Sequence, residues 1–114
     1  MRKHQIENAA FEVATQVRAV EESIDAALVE IAELQARMLH ASSVAHTGYG
    51  TIHPALEQLS AAVAGLVGSR GAVVACHAEL AEAKPKVPGL RTVSWGDGQQ
   101  CPPAASGADL RIVA

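Results

Sequence analysis

The chain has 114 residues, 49% of them hydrophobic but only 3% aromatic, with a formal net charge of -3. That length fits one small domain. A core drawn from Ala, Val, Leu and Ile favours close-packed helices over a sandwich or barrel, and the lack of a basic excess argues against a nucleic-acid partner. Two cysteines, Cys76 and Cys101, are too few for a disulfide scaffold. The N-terminal MRKHQIENAAFEV has no apolar secretion core, so the expected compartment is the cytoplasm.

The first predicted element is a helix over about 4–45. Ile6, Ala10, Val13, Val17, Val20, Ile24, Ala27, Ile31, Leu34, Met38, Ala41 and Ala45 alternate at spacings of four and three. Sustained apolar residues at that period predict a long, coiled-coil-like helix. At 1.5 Å per residue it would span roughly 60 Å. Glu12, Arg18, Glu22, Asp25 and Glu33 fall off the seam and give the helix one wet face.

Next comes HASSVAHTGYGTIHPALE, residues 40–57, whose centre predicts a turn at 46–51. Gly48 and Gly50 are expected to supply the bend, and Pro54 suits the first turn of a returning helix, where its missing N–H is harmless. So short a connection forces the helices antiparallel. Tyr49 would stand at the exposed tip, as a recognition residue.

The second helix is predicted over about 52–84, closed by Pro85. Ile52, Leu56, Leu59, Val63, Leu66, Arg70, Val73, His77, Leu80 and Lys84 repeat the alternation. Folding about the turn sets Leu34 against Val63, Ile31 against Leu66, Ile24 against Val73 and Val17 against Leu80. Arg70 would lie opposite Ala27, within reach of Glu30, and His77 opposite Val20, near Glu21. A polar residue at a seam position sets register or oligomer state.

Off the seam this helix stays apolar or small, at Ala62, Val67, Val74, Cys76 and Ala81, and from 59 to 78 Arg70 is its only full charge. A helix apolar on more than one side needs more than one partner. The expected remedy is a homodimer in which two hairpins form a four-helix bundle, with Val63, Leu66, Val67, Arg70, Val74 and His77 at the interface. Gly65, Gly68 and Gly71, set among alanines, would allow close approach at about 1 kcal/mol each in helix propensity.

Residues 1–84 thus form a helical hairpin. Residues 85–114 form a Pro/Gly-rich tail, with partial period-two alternation predicting strands at 90–95 and 109–113. Trp95 is expected to anchor that tail by its apolar body.

Few residues point to chemistry. His40, His46 and His53 flank the turn, and Glu57 follows His53 by one helical turn, which makes the four a candidate metal set. Their spacing matches no common metal motif, and no cofactor is expected. Ser42, Ser43 and His46 lack a nucleophile elbow and a placed acid. GLVGSRG lacks the Lys-Ser/Thr of a phosphate loop. Residues 59–76 have the length of a membrane span, but Ser60, Ser69, Arg70 and the glycines disfavour insertion.

In architecture, a small helical hairpin is similar to the secreted hairpin family that carries Trp-x-Gly in its turn. Here the turn reads His-Thr-Gly-Tyr-Gly, and Trp95 lies in the tail as Ser-Trp-Gly-Asp-Gly. The expected function is therefore non-enzymatic. It is an assembly, adaptor or structural module working through contacts with itself and another protein, and an accessory role in a phage or mobile element would fit the size. Two alternatives stand beside it: a secreted hairpin substrate of a specialised export system, and a metal- or small-ligand-binding bundle.

Overall fold

The computed structural model describes residues 2–89. Over that stretch the chain is an all-α helical hairpin. Helix α1 spans Arg2–Val44, helix α2 spans His53–Ala83, and a short 3₁₀ turn follows at Lys84–Lys86. The expected strands at 90–95 and 109–113, together with Trp95 and Cys101, lie outside the described residues.

Helix α2 gives way where Pro85 would remove an α-helical hydrogen bond and crowd the preceding turn. Pro85 is instead the second residue of the 3₁₀ turn, and the Val87 N–H closes that turn onto the Lys84 carbonyl at 3.2 Å.

Both helices contribute to two compact units, one of residues 2–19 with 73–89 and the other of residues 20–72. In the first, Ala10 is 2% exposed and Ile6, Leu80 and Val87 pack against it. His77, also of this unit, is 1% exposed. These two are the fully buried residues among those described.

The second unit has no fully buried residue. Here α2 presents Leu56, Leu59, Val63 and Leu66 half-buried, the four-three row read from the sequence. Arg70, next in that row, is exposed. Its Nε donates to Asp25 Oδ1 at 2.8 Å across the hairpin. That bond joins positions 45 residues apart, as an antiparallel pairing of the two helices of this unit requires.

On α1 one of the two expected seam rows is kept and the other is displaced. Ala10, Val17, Ile24, Ile31 and Met38 are buried or half-buried. Of the other row, Ile6 and Ala27 are half-buried but Val13, Val20, Leu34 and Ala41 are exposed, while Ala14, Glu21, Leu28 and Ser42, one residue further on, are half-buried.

The bond to Asp25 corrects the expected partner of Arg70, which was Glu30. Glu21 and Asp25 are one turn apart and share a flank of α1, and the displaced stripe swings that flank toward α2. Glu30, five residues beyond Asp25, points elsewhere.

Candidate functional site

The richest collection of polar and aromatic side chains lies at the turn, wholly within the second unit. How α1 ends explains its shape. The Thr47 N–H donates to the Ser42 carbonyl and the His46 N–H to the Ser43 carbonyl, each at 3.2 Å. Those nested bonds are the Schellman arrangement, which satisfies carbonyls left over at a helix C-terminus. It requires a left-handed residue at its corner, and His46 takes that position with φ 51°.

This departs from the sequence expectation. Gly48 and Gly50 were the natural candidates for an unusual backbone, yet neither has positive φ. The left-handed residue is His46, although a side chain there costs roughly 1–2 kcal/mol relative to Gly. Side-chain bonds support the corner: the hydroxyls of Ser42 and Thr47 lie 2.5 Å apart, and the Thr47 hydroxyl also donates to the Ser42 carbonyl at 3.4 Å. A Gly48–Thr51 turn follows, closed by the Thr51 N–H on the Gly48 carbonyl at 3.0 Å. Helix α2 then starts at His53, with Pro54 among the first residues, whose N–H groups have no intrahelical acceptor.

These bonds frame an open hollow of about 680 Å³. Leu39, Ile52 and Leu56 give it an apolar floor, and Ser42, Ser43, His46, Thr47, Tyr49 and His53 surround it. Tyr49 is 97% exposed. His53 Nε2 stands 3.0 Å from Glu57 Oε1, one helical turn along α2.

Of the four candidate metal ligands, His53 and Glu57 are in contact and His46 lines the same hollow as His53. His40 is not among the lining residues. Among the described residues, no three His, Cys, Asp or Glu side chains gather as a metal site. Ser42, considered as a nucleophile, spends its hydroxyl on Thr47.

The six interface candidates fall into distinct environments. Val63 and Leu66 are half-buried and His77 is buried. Arg70 is exposed and tied to Asp25. That hydrogen bond, and then the charge of Asp25, raises the guanidinium above its ordinary pKa, with a smaller contribution from Glu21. Val67 and Val74 remain 55% and 51% exposed. Cys76, expected to behave as a small core hydrophobe, is exposed as well.

The glycines of α2 complete the picture. A methyl group built at Gly65, Gly68 or Gly71 would meet no atom within 4 Å. No contact among the described residues therefore needs these positions to lack a side chain. The stretch His53–Lys86 is long and apolar enough to cross a membrane, and none of its most apolar 18-residue window is buried.

Sequence reasoning missed Asp25 as the partner of Arg70, His46 as the left-handed corner and the apolar floor of the hollow. Asp25 was traceable, since it and Glu21 stack at i, i+4. No protein-family model matches the chain, and neither a curated protein nor a solved structure is detectably similar to it.

Proposed function

We propose that this protein is a non-enzymatic, self-associating helical module, which builds or bridges assemblies through protein contacts in the cytoplasm. The observation that carries this reading is the uncovered apolar surface of α2. Its own α1 engages the row that includes Leu59, Val63 and Leu66. Ser60, Ala64, Val67, Gly71, Val74 and Ala78, at the same four-three spacing one residue further on, are all exposed.

A second copy supplies the most economical cover. Burying one Val side chain stabilises an interface by about 1.5–3 kcal/mol, and a two-fold pairing buries every such residue twice. The glycines add to the argument. Three of them weaken α2 by about 3 kcal/mol in helix propensity, and no described contact within the chain uses the space they leave. The uncovered row Ser60, Ala64, Val67, Gly71, Val74 and Ala78 reads the same in both directions, four-three-four-three-four. An antiparallel crossing of two α2 helices on that face would set Val67 of one copy over Gly71 of the other and let the backbones come close. The result is a coiled-coil-like four-helix bundle, with the turn and Tyr49 left free for another protein.

Lipid is the competing cover. Against it stands Arg70, in the middle of the apolar stretch and held to Asp25 on a helix that also carries Glu21, Glu22, Glu30 and Glu33. Inserting α2 would break that pair or draw acidic groups toward hydrocarbon, which is costly. Size-exclusion chromatography with light scattering is the test. A dimer or higher oligomer at micromolar concentration is expected; a stable monomer would overturn the reading. Flotation with liposomes in place of self-association would assign the surface to lipid.

A further inference from the structure

We draw no further inference here: the strongest candidate, the uncovered apolar and glycine-bearing face of α2, already carries the proposed self-association and nothing in the structure shows what covers it, while the hollow at the turn belongs to the site already described and gathers no ligand set of its own.

Discussion

The two compact units hold together by different means. The unit of residues 2–19 and 73–89 encloses Ala10 and His77, with Ile6, Leu80 and Val87 around Ala10. The unit of residues 20–72 encloses nothing fully and relies on half-buried aliphatic rows, one ion pair across the hairpin and a tightly bonded turn. Identical periodicity in the sequence therefore yields two kinds of packing. The first unit closes over both a small residue, Ala10, and a large one, His77, whereas Arg70 at a seam position of the second unit keeps its charge in water.

That contrast is broken most directly at Ala10. Ala10→Asp places a carboxylate where the residue is 2% exposed and is expected to cost about 3 kcal/mol or more. It would appear as a large drop in the thermal midpoint followed by circular dichroism. An equally large loss from Val29→Asp, at an exposed position of the second unit, would mean that the units do not differ as described.

The next effect concerns association rather than folding. Val67→Glu combined with Val74→Glu is expected to weaken self-association at least tenfold, about 1.4 kcal/mol, while leaving helicity unchanged. Light scattering across a dilution series reads the first and circular dichroism the second. Persistence of the oligomer would place the interface on another face.

Gly71→Ala then separates the needs of the single chain from those of the assembly. With open space around it, the added methyl should favour helix by about 1 kcal/mol. If copies cross closely there, the oligomer weakens even as isolated α2 becomes more helical. Stronger helix and unchanged association would remove the glycines from the argument for close packing.

At the turn, His46→Gly should stabilise the second unit by about 1 kcal/mol, because glycine adopts the left-handed corner without a Cβ clash. Chemical denaturation at constant slope is the measurement. A loss of stability would show that the imidazole contributes more than its backbone conformation costs.

The smallest change is expected from Arg70→Ala. An ion pair with both side chains more than half exposed is screened by water and salt. The monomeric fold should barely respond, and the response should shrink further at high salt. A large, salt-independent loss would mean that association encloses the pair.

Much of this architecture follows from the sequence alone. The four-three rows dictate two long helices, Pro85 limits the second, and the short connection turns the chain back on itself. The uneven chemistry of the two helices was also legible, because charge on α1 and its scarcity on α2 are properties of composition. Local covalent and steric rules suffice for these features.

Tertiary structure decided what depends on a fraction of a helical turn or on competition between neighbours. A shift of part of one seam row by a single residue exchanged Val20 for Glu21 at the inward face, and Arg70 pairs with Asp25 instead of Glu30. Nested hydrogen bonds at the end of α1 chose His46 as the left-handed residue, although glycines stood two and four positions away, because the corner must fall where the last carbonyls are, not where the backbone is freest. Periodicity counts residues, but packing measures angles and distances. A heptad pattern therefore says that a face exists without saying which of two adjacent rows will fill it.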